Sequence, residues 1–234
     1  MNIIVTGASS GVGFEAVIEL VAAGKHKVMA LARSQDKLER LAQIALDLNP
    51  DGVLYPIAFD IVHDDYDGLQ QFVNSHFDGQ VDILINNAGV LVNKPFMELD
   101  ESDFVEMLQS NFIGHVRIIQ SLQQFMPAGS HILNIGSMGG FQGSAKFPGL
   151  SAYSASKAAL HTLTECLAQE FIEKEIKVNC LALGSAQTEM LEKAFPGYQS
   201  PVMAFEMGKY IADFALTGHK FFNGKILPVA TVTP

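Results

Sequence analysis

The stretch Asn2-Ile3-Ile4-Val5-Thr6-Gly7-Ala8-Ser9-Ser10-Gly11-Val12-Gly13 carries an apolar, strand-like run into a glycine turn, and a helical pattern begins where it ends. Glycines allow a tight turn and let the backbone approach a pyrophosphate. The N-terminus of the following helix offers free N–H groups and the positive end of its dipole. The spacing is Gly-x-x-x-Gly-x-Gly rather than the commoner Gly-x-Gly-x-x-Gly, and glycine-rich strand-to-helix turns also occur with no ligand. The segment points to a nucleotide-binding sheet without requiring one.

Outward from this turn, short apolar runs alternate with longer stretches of helical spacing. Strands are expected at Asn2–Thr6, Lys27–Ala32, Val53–Ala58, Val81–Asn86, His131–Gly136, Lys177–Ala182 and Lys225–Val229. Helices are expected at Val12–Ala23, Gln35–Asp47, Glu101–Phe125, Ser154–Glu173 and Phe205–Leu216. Such alternation reads as βαβ units, hence a doubly wound parallel sheet with helices on both faces. The stretch Thr188–Met207, with Pro196, Gly197 and Pro201, is poorly patterned and is the expected substrate loop.

Composition narrows the class. The chain has 234 residues, 48% of them hydrophobic and 17% charged. That is about one domain, expected to span the whole chain, and it is too apolar for a disordered tail. A net charge of −10 without any Lys/Arg run argues against nucleic acid and anionic membrane as partners. No apolar run approaches the roughly 18 residues of a spanning helix. The first residues lack a basic leader, so a cytoplasmic protein is expected. Two cysteines, Cys166 and Cys180, make no disulfide framework. Cys166 lies in a helical pattern and is expected in the core. The seven histidines show no metal-ligand spacing.

The second strand ends Ala30-Leu31-Ala32-Arg33-Ser34, with no carboxylate at its tip to bond an adenosine 2′-hydroxyl. An arginine there suits a 2′-phosphate, although it could simply solvate a strand end. Further on, Tyr153-Ser154-Ala155-Ser156-Lys157 opens a helix. Residues at i and i+4 share a helix face, so a phenol and an ammonium can meet one pocket. A free tyrosine, with a pKa of about 10, is a poor acid at neutral pH, and a nearby lysine charge would lower that value. The strand His131–Gly136 delivers Ser137 to its carboxyl end, where open α/β sheets bind ligands.

In this order the motifs resemble the short-chain dehydrogenase/reductase family over nearly the whole chain. The family's Thr-Gly-x-x-x-Gly-x-Gly matches Thr6–Gly13 and its Asn-Asn-Ala-Gly matches Asn86–Gly89; its serine falls on Ser137 and its Tyr-x-x-x-Lys on Tyr153 and Lys157. The resemblance implies a Rossmann-like sheet of seven parallel strands in the order 3-2-1-4-5-6-7. It implies catalytic roles for Asn111, Ser137, Tyr153 and Lys157, with Asn111 anchoring a proton-relay water. Cofactor contacts would come from Gly7, Ser9, Ser10, Gly11, Val12, Gly13, Arg33, Asp60, Asn87, Ala88, Gly89, Tyr153, Lys157 and Thr188. Two departures stand out: Leu183-Gly184 replaces the family's Pro-Gly, and the tail Pro228–Pro234 lacks its Asp-Gly-Gly.

The expected activity is NADP(H)-dependent interconversion of a small-molecule carbonyl and alcohol, with NAD(H) as a weaker cofactor and a homodimer or homotetramer as the assembly. The rival is a nucleotide sensor on the same fold. Met138, Phe141, Phe147, Met190, Leu191 and Phe195 flank the expected site and could line a pocket or pack in the core.

Overall fold

The computed structural model describes residues 1–231. Seven parallel strands form one sheet: β1 (Asn2–Thr6), β2 (Lys27–Ala32), β3 (Val53–Ala58), β4 (Ile83–Asn86), β5 (His131–Ser137), β6 (Lys177–Leu183) and β7 (Ile226–Val229). Their order is β3-β2-β1-β4-β5-β6-β7, as expected. The direction of winding reverses between β1 and β4, and a crevice opens at the carboxyl ends of those strands.

Alternation along each strand supplies two cores. Ile3, Val5, Val28, Ala30, Ile83 and Ile85 face α1 (Gly11–Ala22), α2 (Gln35–Leu48) and α8 (Ala204–Thr217). Ile4, Met29, Leu31, Leu84 and Ile132 face the opposite layer, built on α3 (Asp67–His76), α5 (Gly114–Leu122) and α6 (Ser151–Glu170). A sheet buried on both sides reads as a continuous apolar run, which is how β1 reads.

The helices depart from expectation in four places. The stretch expected as one helix over Glu101–Phe125 is α4 (Glu101–Leu108), a π-helical turn over Gln109–Ile113, α5, and a 3-10 turn over Gln123–Phe125. Helix α6 begins three residues before the expected Ser154 and ends three before the expected Glu173, where Phe171 leaves helical geometry and a 3-10 turn follows over Ile172–Lys174. Helix α3 lies outside the expected helices; its apolar residues Leu69, Phe72 and Val73 pack on the core but span only one turn of a ten-residue helix. The expected substrate loop contains the short helix α7 (Glu189–Ala194), capped by the Thr188 hydroxyl. Strand β6 runs on through Leu183 because that residue keeps the N–H a proline would lack; Leu183 stands in register with Ser137 and Val229. The tail residues Val232–Pro234 lie outside the described part. Among the described residues no helix is long and apolar enough to cross a membrane.

Candidate active site

The crevice is a cleft of about 1260 Å³, and its walls are assembled by side chains that hold the backbone turns in place. The Thr6 hydroxyl, at the end of β1, accepts hydrogen bonds from the N–H groups of Asn87 at 2.9 Å and Ala88 at 3.0 Å. Asn87 Nδ2 donates in return to the carbonyls of Thr6 at 3.0 Å and Gly7 at 3.1 Å. The glycine turn and the Asn87–Gly89 segment therefore form a single wall. Gly7 sits at φ +66°, and a Cβ there would lie 2.6 Å from Ala88 Cα; a Cβ at Gly13 would lie 2.1 Å from Asn87 Nδ2. A side chain at either position would have to displace this wall.

Helix α1 opens onto this wall with Ser10 as its N-cap, whose side chain makes no capping bond, and with no acid in its first turn. Its free N–H groups and positive end fit a pyrophosphate. Arg33 is exposed on the same cleft and forms no ion pair among the described residues, with Asp36 or any other acid. Asp60 stands nearby, with one carboxylate oxygen accepting from Val62 N–H at 2.8 Å and the other 3.2 Å from His63 Nδ1. Burial would raise its pKa, but Val62 N–H, His63 and Arg33 together hold the carboxyl below its ordinary value.

At the other end of the cleft, Ser137 leaves β5 and its Oγ accepts from Gly139 N–H at 3.1 Å. Tyr153 and Lys157 lie one turn apart on α6. Burial pushes the Tyr153 phenol above its ordinary pKa and the neighbouring Ser137 hydroxyl pulls it back. Lys157 Nζ donates to Ile135 O at 2.8 Å, and burial brings its pKa down to about 8. In this arrangement the lowering of the phenol comes from Ser137, whereas the sequence reading assigned it to Lys157. Asn111, inside the π turn, accepts from Val90 N–H at 2.8 Å and donates to Val90 O and to Ser156 Oγ, each at 3.0 Å. It thereby ties the wall after Gly89 to α6 immediately before Lys157.

Gly7, Ser9, Ser10, Gly11, Val12, Arg33, Asp60, Asn87, Ala88, Gly89, Ser137, Tyr153, Lys157 and Thr188 all line the cleft. Gly13 and Asn111 stand behind its wall, Gly13 against Asn87 and Asn111 against Val90. Of the flanking apolar residues, Met138, Phe147, Met190, Leu191 and Phe195 line it, while Phe141 packs its ring near His161 instead. Cys166 is exposed, which corrects its expected place in the core: it falls on the outer face of α6, whose buried positions are Leu160, His161, Thr164 and Ala168.

Three residues were not singled out from the sequence. Thr6 is the hub of the wall. His115, fully buried, donates through Nε2 to Ala88 O at 2.9 Å, and burial lowers its pKa to about 3, so it stays a neutral donor. Asn93 donates to Ala194 O at 2.7 Å and so bridges from the loop after β4 to the end of α7. His115 carried a signal, since it follows Asn111 at helical spacing; Asn93 carried none.

Comparison with known proteins agrees with this geometry. The family model for short chain dehydrogenase matches residues 1–199. A fatty acyl-CoA reductase of Acinetobacter baylyi is 32% identical over 192 residues, covering 80% of this chain and 63% of that protein. An NADPH-dependent 1-acyldihydroxyacetone phosphate reductase of Saccharomyces cerevisiae is 32% identical over 193 residues, covering 81% of this chain and 62% of its own. The chain thus spans a little under two thirds of these two relatives. Among solved structures, a short-chain dehydrogenase/reductase from Serratia marcescens superposes with a TM-score of 0.84 at 29% identity, covering 98% of this chain and 96% of that one. The matched family model, these relatives and the seven-stranded order together place the chain in the short-chain dehydrogenase family of oxidoreductases.

Proposed function

We propose that this protein is an NADP(H)-dependent oxidoreductase that interconverts a carbonyl and an alcohol on a small molecule. One observation carries the reading: a single cleft joins Arg33 and Asp60 at one end to Ser137, Tyr153 and Lys157 at the other. The glycine turn, Asn87–Gly89 and Thr188 would hold the dinucleotide, Arg33 its 2′-phosphate, Asp60 its adenine and Lys157 its nicotinamide ribose. When bound, the cofactor supplies or accepts the hydride.

The chain's own residues handle the proton and the oxygen. Tyr153 gives its phenolic proton to the substrate oxygen during reduction and takes it back during oxidation. Ser137 donates a hydrogen bond to that oxygen and fixes its place. Lys157 adds positive charge beside the ribose and favours the phenolate once its ammonium faces the cleft. Asn111 holds the wall and would anchor the water through which Tyr153 is reprotonated. The choice of NADP(H) is supported by the unpaired guanidinium of Arg33 and by the yeast relative, whose name specifies NADPH dependence. NAD(H) would bind more weakly. The assembly we propose is a homodimer or homotetramer, built on the layer that contains α4, α5 and α6, where Val105 and Leu108 are exposed.

The test is a panel of aldehydes, ketones and quinones with NADPH and NADH, followed at the nicotinamide absorbance. Turnover that favours NADPH supports the reading. Tight dinucleotide binding with no turnover of any compound removes it in favour of a nucleotide sensor.

A further inference from the structure

The substrate end of the cleft is walled by Phe147, Met190, Leu191, Phe195, Tyr198 and Val202. Several of these are solvent-exposed: Phe147 retains 51% of its surface, Tyr198 48% and Met190 42%. Exposed aromatic and thioether groups clustered on a concave wall mark a place where an apolar ligand buries them. The charges on this wall are equally telling. Among the described residues lining the cleft, Arg33 and Lys157 are the only Lys or Arg side chains, and both belong to the cofactor and proton machinery. The other charged residues on the lining are all acids: Asp60, Glu189 and Glu206.

Nearby cations lie off the lining. Lys146 donates to Phe141 O at 2.6 Å and to Ser144 Oγ at 2.7 Å. Lys94 pairs with Asp103 at 2.7 Å, Lys37 reaches Glu189 at 3.3 Å, and Lys193, on α7, is not part of the lining. An anionic substrate group packed against this wall would find no Lys or Arg on the lining beyond Arg33 and Lys157 to offset the water it gives up, which is unfavourable.

We infer that the substrate lobe selects uncharged apolar carbonyl compounds and rejects those bearing a carboxylate or phosphate on the same skeleton. The names of the Acinetobacter and yeast relatives specify fatty acyl-CoA and 1-acyldihydroxyacetone phosphate, both anionic; the wall here lacks the cations such groups need. The inference rests on the reductase reading for the position of the reacting oxygen at Ser137 and Tyr153, and it adds which molecules reach them.

The experiment is calorimetric titration of the full-length chain, with and without NADP⁺, using matched ketones: acetophenone against 4-acetylbenzoate, and 2-octanone against 7-oxooctanoate. Turnover of the same four with NADPH is measured in parallel. The neutral member of each pair is expected to bind at least tenfold tighter, and Phe195→Lys to narrow that ratio by strengthening binding of the carboxylate. Equal or tighter binding of the carboxylates, or no measurable binding of either neutral ketone, overturns the inference. Neutral binding without turnover keeps the lobe and removes the reductase reading; efficient turnover of the carboxylates does the reverse.

Discussion

Lys157 gives its ammonium to the carbonyl oxygen of Ile135, 2.8 Å away, so a buried charge beside the cleft is balanced by a strand carbonyl and, among the described residues, by no carboxylate. Burial lowers its pKa from 10.5 to about 8. Between these two values the unfolded chain holds more protons than the folded one, so stability rises with pH across that window. Below about pH 8 the ammonium is charged in both states and its full burial penalty remains. Wild type should therefore gain roughly 3 kcal/mol relative to Lys157→Met between about pH 8 and pH 10.5. Urea unfolding of both proteins across that range measures the gain. A difference that stays flat or falls with pH would show that the ammonium is not buried as described.

Tyr153→Phe keeps the ring in place and removes the transferable proton. General acid–base catalysis contributes about 10²–10⁴-fold, so turnover should fall by at least that order while NADPH affinity changes little. Steady-state rates alongside NADPH fluorescence titration separate the two effects. Substantial residual activity would remove Tyr153 from the mechanism.

Among the described residues Arg33 has no ion-pair partner to release before it meets a phosphate, and Asp36 does not occupy it. A charge-assisted hydrogen bond contributes roughly 1.5–3 kcal/mol, or about one to two decades of affinity. NADPH should be preferred at least tenfold in kcat/KM, and Arg33→Ala should erase most of that preference. An unchanged ratio in the variant would reduce Arg33 to a solvated strand end.

Two glycine substitutions should move stability in opposite directions. At Gly13 a Cβ would collide with Asn87 Nδ2 at 2.1 Å, so Gly13→Ala should cost about 1–3 kcal/mol and weaken dinucleotide binding. At Gly68, in α3, a Cβ meets nothing within 4 Å, so Gly68→Ala should add about 0.5 kcal/mol. Thermal melts of the two variants against wild type decide both.

The assembly is open to a direct measurement. Dimers are the commonest symmetric assemblies, and light scattering at micromolar concentration should return at least twice the 25.4 kDa chain mass. A monomeric mass would remove the proposed pairing through the layer of α4 to α6.

The sheet was legible in the sequence because strands buried on both faces write themselves as apolar runs, and the glycine turn marks where the first of them stops. Ser137, Tyr153 and Lys157 were legible because one sits at a strand end and two are separated by one helical turn. Thr6 and Asn93 were not, since their partners are backbone groups more than 80 residues away and leave no local pattern. Cys166 misled for a related reason: the buried face of α6 itself carries Ser156, Lys157, His161 and Thr164, so polarity does not tell it from the exposed face. Helix α3 was lost to its shortness: Leu69, Phe72 and Val73 make a single turn of stripe in an otherwise polar segment.

The π turn over Gln109–Ile113 changes how this stretch of chain must be counted. Buried positions Asp103, Met107, Asn111, His115, Ile118 and Leu122 step by 4, 4, 4, 3 and 4, taking 19 residues for five turns. An uninterrupted α-helix needs about 18. The surplus residue is a phase shift of roughly 100° written into the numbering, and it lets one stripe keep both Met107 and Leu122 against the core while Asn111 reaches Val90. Removing a single residue there would let one continuous α-helix keep both halves in step, whereas keeping that residue in α geometry would rotate one half by about 100°. Tolerance to length change at this point is therefore set by angle, one residue at a time.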